Sequence, residues 1–250
     1  MAKHKILVSI ITVCYNSEKT IRKTIESVLS QTYSSIDYVI VDGNSSDSTM
    51  KIIEEYVDRF RIRYNREMQI ISEPDKGIYD AMNKGISLAS GEIIGILNSD
   101  DYYEVSAVEN IVSHMSSSPM QVCYGGIKIY ENNKLEKIIW LSHEFLDRRM
   151  IAHPACFVTK NIYEKYGMFN TKYSSSADYE LMLRIHKQEE IEFVPLFEVV
   201  TNYTTGGIST TSLGRKDKIR MLYDTGRIGY LHFWCSLFFL KIESIMKGRV

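Results

Sequence analysis

The chain has 250 residues, enough for one large domain or two small ones with a sizeable buried core. Lys and Arg number 30 against 31 Asp and Glu, a formal charge of −1, which excludes both a generally basic nucleic-acid-binding protein and an acidic disordered chain. Hydrophobic residues at 44% and charged residues at 24% are ordinary globular values. Cys14, Cys123, Cys156 and Cys235 lie far apart, with no CxxC pair and no zinc-ligand spacing. They read as reduced thiols and suit a cytoplasmic protein. The N-terminus is basic and then apolar, but the apolar part is short, β-branched and without a small-residue cleavage site. It reads as a first strand rather than a signal peptide. No run reaches the ~18 apolar residues of a membrane span.

Lys5 to Cys14 has the pattern of a strand covered on both faces. Tyr15-Asn16-Ser17 then turns the chain into a helix with Ile21, Ile25, Val28 and Leu29 on one side. A second strand, Ile36 to Val41, ends in the loop Asp42 to Asp47, and the next helix buries Ile53, Tyr56, Val57 and Phe60. Met68 to Ile71 is a short strand, Glu73 to Gly77 a turn, and Ile78, Met82, Gly85 and Ala89 line up on a further helix. Gly85 suggests close packing there. Ile93 to Leu97 is a fourth strand, ending in Asn98-Ser99-Asp100-Asp101. Strands alternating with helices in this way predict βαβ units and a parallel sheet. Beyond residue 102 the pattern becomes mixed α/β. It has a helix through Val105 to Met115, strands at Val122 to Tyr130 and Lys134 to Leu141 around Asn132-Asn133, a helix over Ala177 to Lys187, and short strands at Ile191 to Val194 and Glu198 to Tyr203. No linker or internal repeat divides the chain.

In open parallel sheets ligands bind beyond the carboxyl ends of the strands, and the polar clusters fall there: Asn16, Asp42 to Asp47, Glu73 to Lys76, and Asn98 to Asp101. The paired carboxylates Asp100 and Asp101 can hold a hard divalent cation that bridges phosphate oxygens, or one can take a ribose hydroxyl. The same four residues also suit a capped turn. Asp42 can accept from the imide N–H of a base, or make an Asx turn. Asp178 opens a helix, where capping and the dipole favour an acid; those forces also keep it ionised, as a proton acceptor must be. His153 is a lone histidine before a proline, as suited to a structural role as to catalysis. Arg184 lies roughly on the opposite helix face from Asp178, placed for structure or a phosphate contact. Gly206-Gly207 can close over a diphosphate or form an ordinary loop. No GxGxxG follows the first strand and no GxxxxGK[ST] occurs, so a dinucleotide dehydrogenase or P-loop NTPase lacks support.

Order and spacing carry more than any single cluster. SIITVCYNSEKTIRKTIESVLSQTY, VIVDGNSSDST and DKGIYDAMNKGISLASGEIIGILNSDD, followed by HPACFV and SSADYELMLR, resemble the family-two, GT-A-fold glycosyltransferases, and most of all the bacterial envelope-polysaccharide members. The resemblance covers roughly residues 5 to 205. It implies a Rossmann-like, mostly parallel sheet flanked by helices over residues 1–213, with a nucleotide-binding half (1–101) and an acceptor-side half (102–213), followed by a helical extension (214–250). It implies that Thr12, Val13, Tyr15 and Asn16 line the nucleotide pocket, that Asp42 binds the base with Lys76 near the nucleotide, and that Asn98, Ser99, Asp100 and Asp101 replace the acidic metal motif. A Mn²⁺ or Mg²⁺ would fall to Asp100 and Asp101, their division from the ribose role left open. Asp178 becomes the general base, and His153, Arg184, Gly206 and Gly207 become candidate acceptor or diphosphate contacts. The expected reaction is inverting transfer of one sugar from a nucleotide-diphosphate donor, UDP-sugar favoured, to a saccharide or lipid-linked hydroxyl.

Two positions depart from the family's pattern. Asn98 stands where an acid is usual, and Ala177 precedes Asp178 where many relatives carry an acid. The QxxRW motif of processive synthases is absent, which implies one sugar per acceptor. Two other functions remain open on residues alone: a nucleotide-sugar sensor without chemistry, and a sugar nucleotidyltransferase, although the latter usually carries a Gly-rich basic loop where Tyr15-Asn16-Ser17-Glu18-Lys19 stands. Finally, the −1 charge is an average. Gly214 to Val250 holds eight Lys or Arg against three Asp or Glu, a net +5, which leaves −6 for residues 1–213. Ile228 to Leu240 is an aromatic, apolar run inside this basic segment. It suits an interfacial helix on anionic lipid at the cytoplasmic face of the inner membrane, or equally a helix packed on the domain or in a homodimer.

Overall fold

The computed structural model describes residues 5–116, 118–206 and 211–247. β1 (Val8–Cys14) is buried throughout, with Val8, Ile10 and Cys14 in one core layer and Ile11 and Val13 in the other. This is the two-sided burial expected of a central parallel strand. α1 (Ile21–Leu29) follows and buries Ile21, Ile25 and Val28; β2 (Ile36–Asp42) lies beside β1. The next helix is divided into α2 (Thr49–Glu54) and α3 (Val57–Tyr64), because the chain tightens at Tyr56, whose N–H bonds Ile53 O three residues back. Ile53, Tyr56 and Phe60 still share the buried stripe. β3 (Gln69–Ser72), α4 (Ile78–Leu88) and β4 (Ile93–Asn98) complete the parallel half. Within α4, a Cβ on Gly85 would strike Ile11, so the close packing expected there is present.

The second half is mixed. β5 (Tyr102–Tyr103) and α5 (Ala107–His114) precede the hairpin of β6 (Gln121–Glu131) and β7 (Lys134–Ile139). Asn132 and Asn133, both left-handed (φ 50° and 62°), make its two-residue turn. β8 (Cys156–Thr159) and α6 (Lys160–Tyr166) had no sequence signal, being too short to show a period. β8 is antiparallel to β4, where Gly95 leaves room for the Phe157 ring. After α7 (Ala177–Ile185), the two short strands expected near 191–203 are one strand, β9 (Glu192–Thr204), with register shifts opposite Gly126. α8 (Ser212–Asp224) and α9 (Tyr230–Lys247) close the chain.

The sheet order is β3-β2-β1-β4-β8-β6-β9-β5, with β7 added to β6. Registers pair Cys14 with Asp42, Val13 with Asn98, and Asp42 with Ser72. The parallel strands therefore end at one level, and their loops gather along a single edge. α8 is part of the folded body: Met221 is buried, Lys172 pairs with Asp224 at 2.7 Å, and Asp217 accepts the Ser175 N–H at 2.9 Å. Among the described residues no helix is long and apolar enough to cross a membrane.

Candidate active site

Two adjoining clefts open at the carboxyl ends of the strands. The first, of about 740 Å³, is lined by Val13 to Thr20, Asp47, Asp75, Gly77, Ile78, Ala81 and Asn98 to Asp100. Hydrogen bonds between loops set its shape. Asp42 takes the Ser45 N–H (2.9 Å), the Ser72 hydroxyl (2.7 Å) and the Ser45 hydroxyl. Ser45 Oγ in turn accepts the Asn16 N–H at 2.8 Å, and Asn16 Oδ1 accepts the Ser46 N–H at 2.9 Å. Asn16 holds a left-handed φ of 48°, which asparagine tolerates. The Ser17 N–H reaches Thr49 Oγ1 at 2.7 Å, and the Ser17 and Ser99 hydroxyls meet at 2.8 Å. Loops following β1, β2 and β4 are thus fastened to one another before any ligand arrives.

The cleft is acidic. Glu18, Asp47, Asp75 and Asp100 line it, and Lys19 is the one cation among the described lining residues. Asp100 is pushed above the usual carboxylate range by burial. Asp101 is pushed well above it, first by burial and then by the Asp100 charge, although the Thr204 N–H donates to its Oδ1 at 2.9 Å. Asp101 Oδ2 and Asn98 Oδ1 are both buried without a hydrogen-bond partner. Two carboxylates that resist ionisation, one of them with an unpartnered oxygen, beside the unpartnered Asn98 Oδ1 form a donor set suited to a hard divalent cation. Among the described residues no three His, Cys, Asp or Glu side chains gather as a complete metal cage. Such an ion would therefore rely on one or two protein carboxylates plus ligand oxygens.

The second cleft, of about 310 Å³, shares Ile78, Asn98 and Asp100 with the first and contains Asp178, His153 and Ser175. Asp178 Oδ1 accepts the Tyr79 hydroxyl at 2.8 Å and the Tyr179 N–H at 2.9 Å. Its Oδ2 has no hydrogen-bond partner among the described residues. Burial, and secondarily Asp178, push the Tyr79 phenol far up, so it stays a donor. Burial pulls His153 below its usual value against the opposing pull of Asp178, so its imidazole is neutral near pH 7. Ser175 is held through Asp217 of α8.

Val13, Tyr15, Asn16, Asn98, Ser99 and Asp100 of the expected donor residues line the first cleft. Thr12 and Asp42 do not. Thr12 is buried with its hydroxyl on Tyr38 (3.0 Å), and Asp42 is wholly buried, its oxygens committed to Ser45 and Ser72. Asp42 makes the Asx-type turn that the sequence also allowed. Lys76 is exposed between the lining residues Asp75 and Gly77 without lining the cleft itself. Asp101, at 1% exposure, is buried with its Oδ1 on the Thr204 N–H and lines neither cleft. Arg184 takes the structural one of its two expected roles: its guanidinium pairs with Glu180 (3.1 Å) and caps the carbonyls of Gly167 and Met168 at the end of α6. Gly206, left-handed at φ 125°, lines neither cleft, and Gly207 lies outside the described residues. Sequence reasoning missed Ser17, Glu18, Lys19 and Tyr79. The first three follow directly on a strand's carboxyl end, which was the available signal; Tyr79 had only its place on a buried helical stripe.

A parallel half with acidic residues at the carboxyl ends of its strands, joined to a second cleft carrying an unshared carboxylate oxygen, suits a group-transfer enzyme. Residues 9–179 match the model of glycosyl transferase family 2, more than half of the chain, and the chain belongs to that family. It is a glycosyltransferase of GT-A fold. It is 27% identical over 224 residues to a PGL/p-HBAD biosynthesis glycosyltransferase of Mycobacterium bovis, covering 88% of this chain and 86% of that one. Among solved structures, S. aureus TarS 1-349 in complex with UDP-GlcNAc matches with a TM-score of 0.69 at 18% identity, over 87% of this chain and 64% of that one. Mannosyltransferase PcManGT from Pyrobaculum calidifontis, in complex with GDP-Man and Mn²⁺, matches with a TM-score of 0.68 at 15% identity, over 91% and 66%. In both structures the chain spans a little under two thirds of the other protein.

Proposed function

We propose that the first cleft binds a nucleoside-diphosphate sugar, that the second binds the acceptor, and that Asp178 is the general base of an inverting transfer. The observation that carries this is the junction: the two clefts share Asn98 and Asp100, and Asp178 lines the acceptor side. A sugar held with its diphosphate at Asn98–Asp100 would expose its anomeric carbon to a hydroxyl in the second cleft. Tyr79 and the Tyr179 amide engage Oδ1, which leaves Oδ2 to take the hydroxyl proton as attack proceeds opposite the leaving group. TarS with UDP-GlcNAc and PcManGT with GDP-Man and Mn²⁺ support a nucleotide-sugar donor, with UDP favoured.

Asp100, Asp101 and Asn98 would hold Mn²⁺ or Mg²⁺, which when bound supplies Lewis-acid neutralisation of the diphosphate leaving group. The net-negative cleft supports this, since a diphosphate meets four carboxylates and only Lys19. Lys19 and the backbone after β1 would steer the phosphates; Ser17 and Ser99 fix the loop around them. The absence of QxxRW favours a single sugar per acceptor. A saccharide or lipid-linked acceptor suits the tail, where α9 exposes Tyr230, Leu231, Trp234, Phe238 and Phe239 on a segment of net charge +5. That face would rest on anionic lipid. The test is a binding screen of UDP- and GDP-sugars with and without Mn²⁺, paired with turnover of Asp178→Asn. Cation-dependent binding that survives in the variant while transfer collapses supports the assignment; near-normal transfer removes Asp178 as the base.

A further inference from the structure

We infer that the acceptor contains a pyranose ring beyond the one that reacts, and that a third cleft holds this further ring on an aromatic platform of Trp140 and Phe197. The inference deepens the proposed function and rests on the second cleft being the acceptor side. The third cleft has a volume of about 420 Å³, and Trp140, Ser142, His143, Glu144 and Phe197 stand in its walls. Two backbone irregularities put the aromatic rings there. A Cβ on Gly126 would strike three atoms of the Trp140 pyrrole ring, so the indole lies against bare β6 backbone, and about half of the residue is still exposed. At the same level β9 advances four residues, from Pro195 to Val199, while β6 advances two, from Tyr124 to Gly126. The surplus bulges out and carries Phe197 to 85% exposure.

The polar groups of the cleft are held as firmly. The His143 N–H donates to the Tyr124 hydroxyl at 3.1 Å, and that hydroxyl meets His143 Nδ1 at 2.7 Å. Burial keeps the Tyr124 phenol protonated, and its oxygen already accepts the backbone N–H, so it donates to Nδ1 and the imidazole keeps its own proton on Nε2. Burial, and then His186, hold His143 below its usual value, so the ring is neutral near pH 7. Phe193 stacks on it with ring centres 5.0 Å apart. Glu144 is exposed, and its Oε2 accepts the Ser142 hydroxyl at 3.5 Å, which leaves Oε1 to accept from a ligand. A pyranose matches this arrangement. Its faces are largely C–H and its rim is hydroxyl, so a face can leave water against the aromatic rings while the rim finds a donor in His143 and an acceptor in Glu144. An alkyl chain in the same place would strip water from both polar groups and return nothing to them.

Position makes this ring part of the acceptor. Leu141 stands in the walls of both the second and the third cleft. Tyr124, Leu141 and Phe193 all pack in the core layer that contains α7. The His143 ring lies edge-on to His186, with 5.9 Å between centres, and His186 follows the last turn of α7, whose first turn carries Asp178. The rise of the helix puts about 12 Å between Asp178 and His186. A single sugar does not cover that distance, whereas a short oligosaccharide reacting at Asp178 does.

The chain has two tryptophans, Trp140 and Trp234, so Trp234→Phe makes Trp140 the sole indole emitter. That protein, otherwise full length, is titrated with methyl glycosides of glucose, mannose and N-acetylglucosamine, and with maltotriose, cellotriose, mannotriose and triacetylchitotriose. Stacking reads the face of a ring more than its whole hydroxyl pattern, so the panel need not contain the natural acceptor. The expected result is a saturable change in Trp140 emission with at least one trisaccharide, at an affinity at least tenfold above that of its matching methyl glycoside. Phe197→Ala and Glu144→Gln, both at exposed positions, should each weaken trisaccharide binding by roughly 2- to 12-fold and narrow that gap. No saturable change with any trisaccharide overturns the inference. So do equal affinities for the two lengths, and so does a length advantage that both variants keep in full. Turnover of Asp178→Asn is followed separately. Loss of transfer in that variant without a trisaccharide advantage would sink the third cleft alone, whereas full transfer with the advantage present would sink the base assignment alone.

Discussion

The two clefts meet at Asn98 and Asp100 but are built in opposite ways. The donor side is a set of polar loops bound to one another: Asp42 to Ser45, Ser45 to Asn16, Ser17 to Thr49 and Ser99. Its form is fixed by directional bonds, and its acidic lining suits the cation-bridged diphosphate proposed for it. The proposed acceptor cleft is lined by Asn98, Asp100, His153, Ser175 and Asp178 together with aliphatic residues such as Ile139, Leu141 and Met150. If the clefts divide the work as proposed, donor binding should be sensitive to the loss of single hydrogen bonds in these loops.

The largest test of this division is Asp178→Asn. It should lower turnover by about 10²- to 10⁴-fold while leaving the donor dissociation constant within twofold. Asp42→Ala comes next, since it strands three donors below the donor loops; chemical denaturation should register a loss of about 3 kcal/mol, with weaker donor binding. Asp100→Asn should weaken donor binding in Mn²⁺ by roughly 10- to 100-fold, as expected for a lost charge-assisted contact, yet change binding little in a chelator. Tyr79→Phe should reduce turnover by roughly 2- to 12-fold, and by nothing further when combined with Asp178→Asn. A merely structural tyrosine would give additive losses in that cycle.

The smallest effect concerns pH. Burial raises Asp100 and Asp101, so the folded chain keeps protons that the unfolded chain releases above the ordinary value of about 4. Without a cation, stability should fall as pH climbs from there toward the raised folded values, and Mn²⁺ should offset the fall. Asp101→Asn should raise the cation-free Tm at pH 8 by roughly 2–4 °C and remove most of the Mn²⁺ response. A variant melting at or below the parent would show that the buried carboxylate is not under strain.

The parallel half was legible because β1, β2 and β4 are covered on both faces and polar turn residues follow them. The boundaries of β1, β2 and β4 lie close to their apolar runs, and Gly85 packs as its spacing suggested. β8 and α6 were not legible, since four residues show no period and Phe157 fits only because Gly95 lies across from it. The single strand β9 looked like two because Pro195 and the register shifts interrupt its alternation. At the site, residue type allowed a structural and a ligand-binding role for Asp42 and Arg184, and in the structure both are engaged by neighbouring protein groups. Which oxygens are already engaged depends on loops 30 residues apart in sequence, as with Ser72 on Asp42, and no local pattern encodes that.

α8 carries a practical consequence for handling the protein. Its Asp217 fastens Ser175, three residues before Asp178, and its Met221 sits in the core. A truncation at residue 213, where the basic extension begins, would cut away this brace together with the greasy helix. A shortened version ending after Gly229 would instead keep the brace and discard only α9. The minimal unit worth expressing, crystallising or fusing to a carrier is therefore longer than the family match, and its boundary is set by one serine's anchor.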